Sequence, residues 1–436
     1  MGDGHLRELV RGSSVALFSR IANLFLGYGF VLLITHNFGA KVMGMFALAT
    51  TVATILATLA RSGLDTALLR FVAEYVVEGR SDLAAAVLRK AWRVVLLTSL
   101  FLSACVYVFA ADLAVRVFHK RELGNYIRLA SMAVLPLTFS YVNAAYLRGL
   151  KKIQHFAFIQ NVSINLFGIL SVLPLFLLLQ TNNAPLAAYV LGTVVTLLIS
   201  TWFSREGITF PKIASPISVK EMLSVSLPLL VASSMVMITG WADIIMLGIF
   251  RSKQDVGIYA VIMKLGLLTA ITLRAVNAIS APKFAELYKT GDLDSLQEVV
   301  YQATKMIFWS SLPLFLLLLC FPSPVLALFG NEFPTGSRAL QYIALGMFVS
   351  AICGSVGIVL QMTGKQHIFQ NVMIITMLLN IGLNLLLIPP FGIEGAAVAS
   401  MIAVIFRNIT FVIYVRQSMA LTTLYLPGLK NGAWLR

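Results

Sequence analysis

The chain has 436 residues, 59% of them hydrophobic and 12% charged, with a formal net charge of +15. Soluble domains carry about a quarter charged residues, so this composition excludes an ordinary soluble domain. The apolar residues run in long blocks without strand alternation, which excludes a closed β-barrel and leaves an all-α integral membrane protein.

The opening segment Met1–Arg11 is polar, and the first apolar block is a full-length span, so no cleavable leader is expected. Candidate spans follow near 13–35, 45–69, 91–110, 126–147, 156–180 and 184–203. The polar stretch Ser204–Glu221, with Pro211 and Pro216, then reads as a cytoplasmic linker. A second set lies near 222–249, 258–281, 306–329, 339–363, 368–390 and 396–415. Each block reaches or approaches the roughly 20 residues that carry a helix across about 30 Å of hydrocarbon. The expected organisation is a bundle over 1–203, a linker over 204–221 and a second bundle over 222–436, about 12 spans in all. Lysine and arginine favour the side of the amino terminus, which puts both termini in the cytoplasm. The net positive charge is partly this bias and gives no reason to expect nucleic acid.

The second half repeats the first at a shift of about 213 positions. Val42-Met43-Gly44-Met45-Phe46-Ala47 falls on Asp255-Val256-Gly257-Ile258-Tyr259-Ala260, and Arg61 on Arg274. Gly79 matches Gly291, and Lys152-Ile153-Gln154-His155 resembles Gly364-Lys365-Gln366-His367. Six spans per copy bring each copy back to the side it entered from, so the repeat is parallel. The three cysteines, Cys105, Cys320 and Cys353, lie inside spans at no metal-ligand spacing, and no metal or cofactor is expected.

Three stretches carry a resemblance: Phe38-Gly39-Ala40-Lys41-Val42-Met43-Gly44-Met45-Phe46-Ala47-Leu48, Ser62 to Tyr75, and Leu387-Ile388-Pro389-Pro390-Phe391-Gly392-Ile393-Glu394-Gly395-Ala396-Ala397-Val398-Ala399. The chain resembles the polysaccharide-transporter family of the multidrug/oligosaccharidyl-lipid/polysaccharide (MOP) exporter superfamily. That resemblance implies two six-helix bundles of MOP-exporter type and a flippase for a polyprenyl-diphosphate-linked oligosaccharide, an O-antigen or exopolysaccharide repeat unit. It implies the cytoplasmic membrane as location, alternating access as mechanism, and glycan assembly proteins as possible partners. A multidrug/toxin extruder on the same fold is one alternative; a polytopic glycan polymerase or glycosyltransferase is another. The glycines and prolines of these stretches also have a plain structural meaning, as tight turns and helix ends.

Ionisable residues within spans are costly, by at least about 2.5 kcal/mol at a helix centre, and so mark function. They are Arg20, Arg61, Asp65, Asp243, Lys264, Arg274 and Arg407. Arg20, Arg61 and Arg274 fall at similar depth and are expected to bind the pyrophosphate, with Asn23, Asn277 and Ser19 near sugar hydroxyls. Arg61 has a local alternative, a pair with Asp65 four residues on. Asp243 and Lys264 are expected to pair as an outer latch or a permanent bridge, with Asp243 alternatively a carrier of the coupling proton. Asp65 joins these two as a gating or coupling candidate. Arg407, with no acid nearby in its span, reads as structural.

Overall fold

Long apolar runs with few interior breakers form helices, because only internally satisfied backbone survives in hydrocarbon. A computed structural model describes residues 3–205 and 217–427. Side-chain surroundings are described from residue 18 onward, except at 179, 225, 227–229 and 231–236. All regular structure among the described residues is helical. Internal contacts divide the chain into Met1–Ser234 and Met235–Arg436. Most of the linker expected at 204–221 lies outside the described residues.

The first unit opens with α1 (Asp3–Arg61), broken at Gly39, where φ is 75° and ψ 178°. Its portion Phe18–Arg61 has 44 residues. At 1.5 Å per residue that is about 66 Å, twice the hydrocarbon thickness, so the break divides two passes. After a left-handed step at Ser62 and Gly63 come α2 (Leu64–Val77) and α3 (Ser81–Asp112), the latter prolonged by a π turn. Helices α4 (Leu123–Ser131) and α5 (Val134–Gly149) make one pass. Helices α6 (Ile153–Ala157) and α7 (Ser163–Leu179), joined through the π turn Phe158–Val162, make another, and α8 (Ala184–Arg205) follows.

Helix α9 (Val219–Phe250) carries the chain into the second unit. There α10 (Lys253–Thr269) and α11 (Ile271–Thr290) form one span bent by 44°. Helices α12 (Leu293–Cys320), α13 (Pro322–Ala327), α14 (Ser337–Cys353) and α15 (Val356–Met362) follow. The last, α16 (Gln366–Met419), is broken at Gly392 (φ 57°, ψ −127°). A side chain at Gly395 would place Cβ 2.1 Å from the Leu387 carbonyl oxygen, so this elbow closes only over glycine. Arg251 ties the elbow down, donating Nε–H to the Ile388 carbonyl (3.1 Å) and Nη2–H to that of Pro389 (2.6 Å).

Eight described helices are long and apolar enough to cross a membrane. Counting each broken helix as two passes, the bent pair as one and α9 as one gives the expected twelve. Leu97, Phe101 and Val108 on α3 are exposed along one face. Such a row is tolerable in a bilayer and an aggregation hazard in water.

The backbone repeats as the sequence does. Positive φ values occur at Gly79, His119, Lys151 and Gln180 in the first unit and at Gly291, Gly330, Gly364 and Gly392 in the second. Each pair is offset by 211 to 213 positions.

Candidate functional site

In the first unit the expected anion ligand Arg61 is engaged locally. It is buried at the last turn of α1, where a cation meets the negative end of the helix dipole. Asp65 stands in the first turn of α2, at the positive end of the next dipole. The left-handed step between the helices brings them together, with Arg61 Nη1 2.9 Å from Asp65 Oδ2. Nη2 donates to Thr58 Oγ1 (2.9 Å), Nε donates to the Ala57 carbonyl (3.2 Å), and the guanidinium lies 4.2 Å from the Tyr141 ring centre. Three of its five N–H donors are thus occupied. Asp65 also lines a small cavity of about 130 Å³ with Tyr141, Arg148 and Gln160.

Arg20 is exposed and makes no ion pair among the described residues. The neighbouring polar groups expected to meet sugar are bonded within the unit. Asn165 donates to Asn23 Oδ1 (2.7 Å) and Asn161 to Ser19 Oγ (3.2 Å), a ladder at four-residue spacing on both helices.

The second unit holds the denser constellation. Asp243 on α9 is 1% exposed, and its carboxylate accepts four hydrogen bonds. Oδ1 receives Asn384 Nδ2 (2.6 Å) and Asn380 Nδ2 (3.2 Å). Oδ2 receives Tyr259 Oη (2.8 Å) and Ser400 Oγ. Lys264, the expected partner, is not among these donors; it is half-buried on α10. The cause is the elbow of α16, which sets Asn380 and Asn384 before the break and Ser400 after it around one acid. The amide oxygens of Asn380 and Asn384 are buried without a hydrogen-bond partner.

A cavity of about 260 Å³ adjoins this cluster, lined by Asp243, Arg274, Ser350, Met373, Ser400 and Arg407 among others. Arg274 is exposed, and its guanidinium has no hydrogen-bond or ionic partner among the described residues. Asn277, one turn on, lines a second cavity of about 200 Å³, and its Oδ1 is buried and unpartnered. The structure therefore brings Asp243 and Arg274 to one cavity, sets Asn277 on the next, and joins Arg61 to Asp65. Asn380, Asn384, Tyr259 and Ser400 escaped the sequence reading. The signal for two of them was there, since two asparagines four residues apart in an apolar span must share a polar face.

Among known proteins, a family model described as polysaccharide biosynthesis protein matches residues 9–287, and one described as MatE matches residues 228–386. An uncharacterized membrane protein of Methanocaldococcus jannaschii is 24% identical over 422 residues, covering 90% of this chain and 80% of its own length. The probable low-salt glycan biosynthesis flippase Agl15 of Haloferax volcanii is 26% identical over 161 residues, 37% of this chain and 34% of that protein. Among solved structures, the lipid II flippase MurJ in an inward closed conformation superimposes with a TM-score of 0.75 at 16% identity, covering 93% of this chain and 87% of its own. An inward-facing multidrug resistance MATE family transporter gives 0.77 at 16% identity, over 93% and 98%. These two likenesses establish a MOP-type fold, and the chain is a multi-pass membrane protein of that architecture.

Proposed function

We propose, since the chain belongs to the polysaccharide biosynthesis family, that it is a flippase for a polyprenyl-diphosphate-linked oligosaccharide, an O-antigen or exopolysaccharide repeat unit. It carries the headgroup from the cytoplasmic to the outer leaflet of the cell membrane by alternating access, with both termini in the cytoplasm. One observation carries this reading: the Arg274 guanidinium, unpartnered among the described residues, lines a cavity whose one acid among the described lining residues, Asp243, already receives four donors. Such a cavity favours an anion, and a planar guanidinium binds two phosphate oxygens while keeping its charge.

In this scheme Arg274 takes phosphate oxygens and Asn277 a sugar hydroxyl. Arg20 is a first contact for the anion on its own unit, with Asn23 beside it. Arg61 and Asp65 are assigned to gating, because Arg61 reaches an anion only when that pair releases. Asp243 is assigned to coupling. A carboxylate flanked by two unpartnered amide oxygens suits either a proton or a desolvated sodium ion. Lys264, on the helix that supplies Tyr259, is kept beside it as a coupling candidate. A cationic-drug extruder is the poorer fit, because its substrate would meet an unpaired arginine. Glycan assembly proteins are the natural partners.

The test is reconstitution into liposomes with labelled polyprenyl-diphosphate-linked sugar on one face. Wild-type protein should move label across, and Arg274→Gln should lose most of that rate at equal incorporation. A wild-type protein that moves none of it, yet expels a cationic dye, would overturn the assignment.

A further inference from the structure

We infer that Arg407 and Arg274 together form a clamp for the diphosphate, and that the cavity adjoining Arg407 receives the first sugar. The inference rests on the flippase reading and adds a ligand and a subsite to it. Arg407 lies on the second half of α16, fifteen residues past the Gly392 break and twelve before Met419, deep within a span. An arginine at that depth needs an acceptor or an aqueous chamber. It has no hydrogen-bond, ionic or aromatic partner among the described residues, and it lines two cavities.

The cavities share Leu273, Ser350, Met373 and Arg407, so Arg407 stands at the wall between them. On one side, in about 260 Å³, it faces the same void as Arg274. Two guanidinium forks on one void match two linked phosphates, each fork serving two oxygens. On the other side the void of about 200 Å³ exceeds the roughly 150 Å³ that admits benzene into an engineered cavity. Its lining is mixed in the way a sugar ring requires. Asn277 Oδ1 and Ser355 Oγ are buried there without partners, and Ser355 is 1% exposed. Gln361 adds a further amide, and Phe369 and Phe411 stack with ring centres 5.3 Å apart. Orphaned polar atoms accept and donate to hydroxyls, while aromatic edges and faces cover the apolar side of a pyranose. A phosphate and the sugar it carries are adjacent in the substrate, and the two voids meet at the arginine.

The experiment measures binding to full-length protein in nanodiscs with three probes: farnesyl monophosphate, farnesyl diphosphate, and farnesyl diphosphate bearing one hexose. Wild type should bind the diphosphate at least about tenfold more tightly than the monophosphate, the step expected when a second charge-assisted fork engages. Arg407→Gln should remove most of that preference and leave monophosphate binding within about threefold. Arg407→Lys keeps the charge and loses the fork, so it should fall between; it decides the matter if the glutamine variant does not fold. The hexose should add affinity in wild type and lose it in Asn277→Leu. Unchanged diphosphate preference in both Arg407 variants, with Arg274→Gln weakened, overturns the clamp and leaves the flippase reading standing. A hexose that adds nothing in wild type overturns the sugar pocket. A wild type that neither binds the diphosphate nor moves lipid-linked sugar in liposomes removes both.

Discussion

Replacing Asp243 separates its two roles as hydrogen-bond hub and ion site. In Asp243→Leu the carboxylate disappears and four donors lose their acceptor. Two can recover: Tyr259 Oη is already 3.5 Å from the Ala396 carbonyl, and the Ser400 hydroxyl is free to rotate. Asn380 Nδ2 keeps Ser400 Oγ, 3.4 Å away, as an acceptor, whereas Asn384 Nδ2, which donates to Asp243 alone among the described residues, is orphaned. One buried orphan costs about 1–3 kcal/mol and the three weakened hydrogen bonds about 1 kcal/mol more, so the expected loss is roughly 2–4 kcal/mol. In Asp243→Asn one oxygen still accepts, and the new Nδ2 finds the idle Oδ1 of Asn380 or Asn384. That variant should lose under about 1.5 kcal/mol. At about 2–4 °C per kcal/mol for a unit of this size, the leucine variant should melt several degrees below the asparagine variant in detergent. Both should lose coupled transport. Equal melting temperatures would refute the network, because the acceptor of the fixed Asn384 amide cannot be exchanged for a methyl group without cost.

Gly395→Ala forces Cβ against the Leu387 carbonyl and should cost about 1–3 kcal/mol, read as a lower melting temperature; Gly382→Ala, with nothing within 4 Å, should be neutral or slightly stabilising. Arg61→Met with Asp65→Asn in a double-mutant cycle should give a coupling of about 1 kcal/mol, and a coupling near zero would deny the pair its role at the helix break. If a cation at Asp243 and an anion at Arg274 share one void, each should tighten the other. Farnesyl diphosphate binding should strengthen with sodium or on acidification, and Asp243→Asn should abolish that dependence; an unchanged dependence would place the coupling ion elsewhere.

The fold was legible because its signals are local. Span lengths, the repeat and the Pro389-Pro390-Phe391-Gly392 elbow each follow from a short window of residues, and the described residues hold eight long apolar helices, a bent pair and repeated turns consistent with about twelve passes. The pairing of Asp243 was less legible, because sequence proximity was the wrong guide. Lys264 is near in the chain, across a short loop. The donors that hold the acid come from residues 137 to 157 positions away, save Tyr259 at 16. Nothing local to Asp243 announces them. Arg61 shows the opposite case, where a partner four residues on was visible and the structure realises it.

An acid within the same span is a poor guide to the role of an intramembrane arginine. Arg407 read as structural because its span holds no acid. Yet an arginine whose own span holds no acid must meet an acceptor from another element, water or a ligand, and Arg407 lines the void that Asp243 also lines. Arg61, which does have its acid, is engaged with it. The same logic bears on substrate choice. An ionised Asp243 offsets only one of the two arginines that line its void, Arg274 and Arg407, so the described lining carries net positive charge whichever state the acid is in. That charge is costly for the folded protein and favourable only once an anion arrives. In the proposed flippase, a cavity of this kind suits a phosphate-bearing cargo better than a cationic one.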